Sequence, residues 1–404
     1  MAAKQVITPA HFPWADISRY TFSLGVEKAG LVFLSGNSAG THDPATGQVV
    51  CQGDVAAQAR TAYQKMRAVL EAAGLGPEHV VKTVDYITPG GVEGYRETGA
   101  VRQEFFQGQG GQWPAATGIV VERLLRPDAL IEIEAVAVRG AIREAINPGW
   151  DYYSRYTFAP GVRAGGYLWT SGFTGSQLDA ASGQVVYPRG VAAQTRVAYE
   201  QIGQVLRAGG ASPADAIKTV DYIAPGGLEG YRDTAGVRRD FFGTSYPAST
   251  GIIMNRLLFP QAMVEIDAVA ALEGERREVM VPEWQDRYGR LTYRPGVRQG
   301  RLLFVSGMAG GDPATGQASP DLKAQARTAL TKIARVLEAA GGSLRDVVKT
   351  VDYITPAALA DYRATAQLRR ELLGPDFPAA TGVVVNRLLH PEYLIEIDAI
   401  AVLD

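Results

Sequence analysis

The chain is short of most of the residues from which specialised chemistry is commonly built. Cys51 is the only cysteine in 404 residues, so no internal disulfide can form, which fits a reducing compartment. The four histidines, His11, His42, His79 and His390, share no spacing, and neither HExxH nor CxxC occurs. No metal or cofactor is expected on that ground, and no Ser-His-Asp arrangement can be drawn from spacing. Lys and Arg number 40 against 42 Asp and Glu, a formal net charge of -2 with no basic tail or stripe, which argues against a nucleic-acid partner. No apolar run approaches the ~20 residues that span a bilayer, and the opening MAAKQVITPAHFPW has no apolar signal-peptide stretch. A soluble, cytoplasmic protein without membrane attachment is expected.

What the chain has in quantity is repetition. Three phrases recur in fixed order. FLSGNSAG, WTSGFTGS and FVSGMAGG are anchored at Ser35, Ser171 and Ser306, spaced by 136 and 135 residues. VKTVDYITP, IKTVDYIAP and VKTVDYITP keep Lys82, Lys218 and Lys349 in register. WPAATGIVVERLL, YPASTGIIMNRLL and FPAATGVVVNRLL follow, closed by IEIEAVAV, VEIDAVAA and IEIDAIAV. So long a period is one small domain and not a solenoid repeat. The reading is of three tandem domains, residues 1–143, 144–278 and 279–404, joined near Arg143 and Glu278.

Each copy alternates strand and helix signals. LVFLSG and LLFVSG are short apolar runs closed by Gly, as buried strands are. Val55, Ala59, Ala62, Met66, Val69 and Ala73 recur at steps of three or four before Gly74, an amphipathic helix with a Gly stop. VVKTVDYI is rich in β-branched residues and predicts a strand; GYRETGAVRQEFF predicts a second helix. TGIVVERLL and LIEIEAVAV close the unit as two strands about a short Pro-containing turn. The unit is α+β, ββαβαββ, with its helices on one face of a sheet.

These ordered motifs (S-G, then D-x-x-x-Q-x-R on a helix, V-K-T-V, F-P-A-x-[ST] and I-E-I-[ED]-A-x-A) resemble the RidA/YjgF family of enamine and imine deaminases, three times over and nearly end to end. The resemblance implies a chorismate-mutase-like fold and, in ordinary members, a homotrimer with a ligand cleft at each subunit interface. Three linked copies imply an intramolecular pseudo-trimer, either alone or as a dimer of such chains. In family deaminases the phrase is P-A-R-[ST], and its Arg grips the substrate carboxylate; a guanidinium fork makes two charge-assisted hydrogen bonds that Ala cannot. Ala116, Ser249 and Ala380 stand at that place. Gly99, Ala235 and Ala366 stand where the family tends to place an Asn.

Other positions match. The resemblance carries the role of a cleft carboxylate handling water or a proton to Glu132, Glu265 and Glu396, as general acid or base. On an alternating strand Glu132 and Glu134 share a face, so one is free to act while the other orients or is solvated; pairing with a Lys or Arg across the ring interface is the structural alternative. Ser35, Ser171 and Ser306 match a family Ser near the ligand, and equally suit a tight strand end. Thr117, Thr250 and Thr381 close the P-A-x-[ST] phrase. Phe22, Phe158 and Tyr293 match a cleft-lining Tyr, within the aromatic-rich segments WADISRYTF, WDYYSRYTF and WQDRYGRLTY. Arg96, Arg232 and Arg363, three residues before the missing Asn, are candidates for a displaced anion clamp, with a solvated helix face as the alternative. Asp85, Asp221 and Asp352 require partners if buried. The GQGGQW loop at Gly108 to Trp113 lacks the Lys and the following helix of a phosphate cradle. The function expected is acid/base chemistry on a small metabolite, imine or enamine hydrolysis first; a chorismatase-like hydrolase or lyase and a non-catalytic metabolite-binding or scaffold protein are the alternatives.

Overall fold

A computed structural model describes residues 3–43, 46–107, 111–179 and 182–404. In the first domain the sheet runs Gln5–Ile7, Gly25–Lys28, Leu31–Leu34, Ile131–Val138, Val80–Ile87, Ala115–Val120 across its width. All pairs are antiparallel except the last, Val80–Ile87 with Ala115–Val120. The other two domains repeat this order. The two strands that close each unit in sequence are thus not neighbours: Val80–Ile87 lies between them. The turn after Ala115–Val120 instead crosses to another domain, Arg123–Leu124 pairing with Val383–Val384.

The helix expected from Asp54 to Ala73 spans Val55–Ala72, with the Asp54 carboxylate capping the Ala57 N–H at 2.8 Å and Gly74 leaving at φ +67°. Its buried stripe of Val55, Ala59, Ala62, Met66 and Val69 packs on one face of the sheet with Leu34, Val80, Ile131 and Ile133. The second helix begins only at Thr98, after a 3-10 turn at Tyr95–Glu97.

The opposite face of each sheet is apolar as well, and turns toward the other domains. Val26, Phe33, Val162, Trp169, Val297 and Phe304 share one core cluster drawn from all three domains; Tyr86, Tyr222 and Tyr353 share a second. Strand bridges join the domains in cyclic order: Ala115 to Ala159, Ala248 to Arg294, and Ala379 to Ser23. Three modules therefore close into a ring. At the joins in the chain, Glu144–Ile146 pairs with Gly161–Ala164, and Arg276–Val279 with Gly296–Gln299. No helix among the described residues is long and apolar enough to cross a membrane.

Candidate functional site

Where two domains meet, the Ser-Gly turn of one faces the Pro-Ala phrase of the other. The Ser35 hydroxyl donates to Ser23 O at 2.6 Å and accepts from the Ala380 N–H at 2.7 Å. Ser171 treats Ala159 O and the Ala116 N–H in the same way, and Ser306 does so with Arg294 O and the Ser249 N–H. These hydroxyls are buried and stitch one domain to the next, with both their donor and acceptor engaged.

The strand VKTVD carries a second stitch. Lys82 Nζ donates to Thr117 Oγ1 at 2.6 Å and to Thr170 O at 2.7 Å, and lies 3.0 Å from Asp267 of the second domain. Lys218 binds Thr250, Val305 O and Asp398 of the third domain. Lys349 binds Thr381, Leu34 O and Glu134 of the first. The hydroxyls of Thr117, Thr250 and Thr381 donate hydrogen bonds to the same carboxylates. The cross-ring pairing weighed for the first acid of IEI[ED] thus belongs to the second, at Glu134, Asp267 and Asp398.

The first acid is different. Glu132, Glu265 and Glu396 accept no hydrogen bond and make no ion pair among the described residues. Each carboxyl lies over the Ser-Gly turn, where a Cβ on Gly36, Gly172 or Gly307 would collide with it. That contact explains the Gly of the motif: the carboxyl needs the space. Burial, reinforced by the neighbouring acid two residues on, pushes Glu132 up to about 7 and Glu265 and Glu396 up to about 8. Carboxyls titrating there hold a proton near neutrality and can give it up, as a general acid or base must.

Of the arginines predicted to clamp an anion, Arg232 stands in the wall of the cleft between the second and third domains. Arg96, Arg232 and Arg363 are all exposed, because the helix starts two residues after them. The arginines that turn inward are Arg102, Arg238 and Arg369, six residues further on. Each forms a buried ion pair with Asp85, Asp221 or Asp352, joined by Tyr95, Tyr231 or Tyr362. Arg238 Nη1 also reaches Ser249 Oγ at 3.1 Å. A guanidinium therefore sits beside the place where the family Arg is missing, carried by a helix instead of the strand.

Phe22 stacks on Tyr20 at 4.6 Å and Phe158 on Tyr156 at 5.0 Å, while Tyr293 meets Tyr288 edge-on at 5.6 Å. Tyr293 lines the cleft between the second and third domains with Trp284, Tyr288 and Tyr393, around a volume of about 730 Å³ that Glu396 also faces. Sequence reasoning passed over Lys65 and Lys332, which occupy the same position of the long helix in two copies. Their ammonium groups reach Ser38 O and Gly40 O, and Ala309 O, beside the cleft carboxyls. The signal was present as a repeated Lys. Cys51 is buried, which pushes its thiol up to about 11 and leaves it unreactive at neutral pH. Gly108 to Gly110 of the GQGGQW loop lie outside the described residues.

The Endoribonuclease L-PSP family model matches residues 15–139, 152–272 and 288–403. A RutC family protein of Pyrococcus horikoshii is 38% identical over 110 residues, 27% of this chain and 85% of its own length. The 2-iminobutanoate/2-iminopropanoate deaminase of Salmonella typhimurium is 36% identical over 115 residues, 28% of this chain and 84% of its own. Among solved structures, a chorismatase aligns over 80% of this chain and 93% of its own with a TM-score of 0.52 and 18% identity, a likeness of fold.

Proposed function

As a chain that belongs to the Endoribonuclease L-PSP family, which holds the RutC, RidA and YjgF proteins, with three copies in tandem, this protein, we propose, is a hydrolase of small imine or enamine metabolites acting in its inter-domain clefts. The observation that carries this reading is the trio of unpartnered carboxyls, Glu132, Glu265 and Glu396, each over a glycine at a domain junction and each titrating near neutrality.

The chemistry follows from the carboxyl. In its acid form Glu396 gives its proton to the imine nitrogen, which makes the carbon electrophilic. Water adds to that carbon, and the carboxylate takes the proton it loses. The same proton is then passed to the amino nitrogen of the carbinolamine, the C–N bond breaks as ammonia leaves, and the hydroxyl proton returns to the carboxylate, leaving the carbonyl and restoring the acid form. The sum is imine plus water to ketone plus ammonia, and one carboxyl serves every proton transfer. The 2-iminobutanoate/2-iminopropanoate deaminases that match single domains support this choice of substrate. The substrate carboxylate, without a strand Arg to hold it, would find the cleft cations instead.

The test is acceleration of ketone release from a freshly generated 2-aminoacrylate-type enamine. Replacing all three residues, Glu132→Gln, Glu265→Gln and Glu396→Gln, is expected to lower the rate by roughly 10²–10⁴, the usual contribution of general acid–base catalysis. A wild-type rate equal to that of buffer removes the reading. A chorismatase-like hydrolase or lyase is the second reading, supported by the shared architecture across most of both chains; chorismate turnover followed by absorbance tests it.

A further inference from the structure

The three clefts are built to one plan but differ in charge. Between the second and third domains, the wall carries Arg232, Arg238, Arg287, Arg290, Lys332 and Arg387 against a single carboxyl, Glu396, which is largely protonated at neutral pH. Arg238 is committed to Asp221. None of the other cations forms an ion pair among the described residues. Their hydrogen bonds go to neutral backbone carbonyls: Lys332 to Ala309 O at 2.7 Å, Arg287 to Pro313 O and Arg387 to Leu388 O, both at 3.3 Å.

The corresponding positions elsewhere show that the fold does not need two of these charges, Arg287 and Lys332. Between the first and second domains, Tyr152 replaces Arg287 and Gln201 replaces Lys332. Gln201 donates to Thr174 O and Ser176 O, so the carbonyl-latching task of this helix position is met by an amide. Between the first and third domains Lys65 is retained, but Asp16 replaces Arg287 and lies 3.4 Å from Arg19, the counterpart of Arg290. Only the cleft between the second and third domains therefore carries a cation at both of these positions; Arg232, Arg290 and Arg387 have arginine counterparts in the other two clefts. Crowding like charges is unfavourable unless something negative offsets them, and the walls between the charges are aromatic, with Trp284, Tyr288, Tyr293 and Tyr393.

We infer that the cleft between the second and third domains binds a small molecule carrying two or more negatively charged groups about a flat ring. This deepens the proposed function by naming a substrate class, and rests on that reading of the clefts as ligand sites. The second negative group is a carboxylate or a phosphate, both of which a guanidinium fork fits.

Calorimetric titration of the full chain with benzoate, isophthalate and 3-carboxyphenyl phosphate tests the inference. At least one of the two multiply charged probes is expected to bind more than tenfold tighter than benzoate, at one equivalent per chain, and to weaken as salt rises. Tighter isophthalate assigns the second group as carboxylate, and tighter 3-carboxyphenyl phosphate as phosphate. The double variant Arg287→Tyr, Lys332→Gln, which installs the residues of a neighbouring cleft, is expected to lower that affinity more than tenfold. Equal affinity for the three probes, or affinity that survives the double variant, overturns the inference. Because binding is read without turnover, a chain that binds the probes and fails to hydrolyse enamines would lose the proposed activity and keep this site.

Discussion

The hydroxyl of Ser249 allows a perturbation whose size follows from its partners. It is 8% exposed and accepts from Arg238 Nη1 and from Thr219 Oγ1, each at 3.1 Å. At the same place the other copies carry Ala116 and Ala380, and there the hydroxyls of Thr83 and Thr350, the residues in register with them, are buried without a partner. Ser249→Ala would reproduce that state in the second domain. It removes one hydrogen bond from a charged donor and one from a hydroxyl, and leaves the Thr219 hydroxyl unsatisfied, for a loss of about 1–3 kcal/mol. If the chain unfolds as one unit, an unfolding entropy of ~2.1 cal/mol/K per residue turns this into a Tm fall of about 1–4 °C. The reverse changes, Ala116→Ser and Ala380→Ser, should each stabilise by roughly 0.5–1.5 kcal/mol by giving Thr83 or Thr350 its acceptor. Urea titration followed by tryptophan fluorescence, with calorimetry for Tm, measures both directions. A Ser249→Ala chain as stable as the parent, together with destabilised Ala116→Ser and Ala380→Ser chains, would refute the hydrogen-bond accounting and leave side-chain volume as the governing factor.

Two further outcomes follow from the interface. Lys218→Met strands the buried Asp398 carboxylate at the junction of the second and third domains and should cost about 3–5 kcal/mol, with Lys218→Met, Asp398→Leu recovering most of it, as read from urea midpoints. Raised acid pKa values mean that the folded state holds protons the unfolded chain has released, so stability should fall as pH rises from the ordinary carboxyl range through about 8, the value for Glu265 and Glu396; Glu265→Gln, Glu396→Gln should flatten that slope between pH 5 and 9, and a slope unchanged by the double variant would refute the assignment.

The repeat, the strands and the long helices were legible because each copy writes the same periodicity, and because Val, Ile and Tyr in VVKTVDYI suit a strand buried throughout. The cleft carboxyls were legible only through the family resemblance: alternation put Glu132 and Glu134 on one face but could not separate the paired acid from the free one. That separation depends on which Lys the next domain presents, a contact between positions far apart in the chain. Arg96 stands out in the sequence as a clamp because it lies three residues from the missing Asn, on the same helix face; the 3-10 turn at Tyr95–Glu97 delays the helix, and Arg102 is the arginine that turns inward. Strand order was hidden for a related reason, since two strands consecutive in sequence are divided in space by a third. The uneven charge of the clefts was hidden because its two positions, Arg287 and Lys332, lie far apart in sequence and meet only in the folded groove.

The closure of the ring within one polypeptide has a consequence for its behaviour in solution. Separate subunits held by the same contacts would come apart on dilution, and their grooves would vanish with them. Here the Lys349–Glu134 joint, which brings the third domain back to the first, forms between parts already tethered, at an effective concentration set by the chain and independent of how much protein is present. The grooves should therefore keep their shape and occupancy at nanomolar protein, where an unlinked trimer would be dissociating.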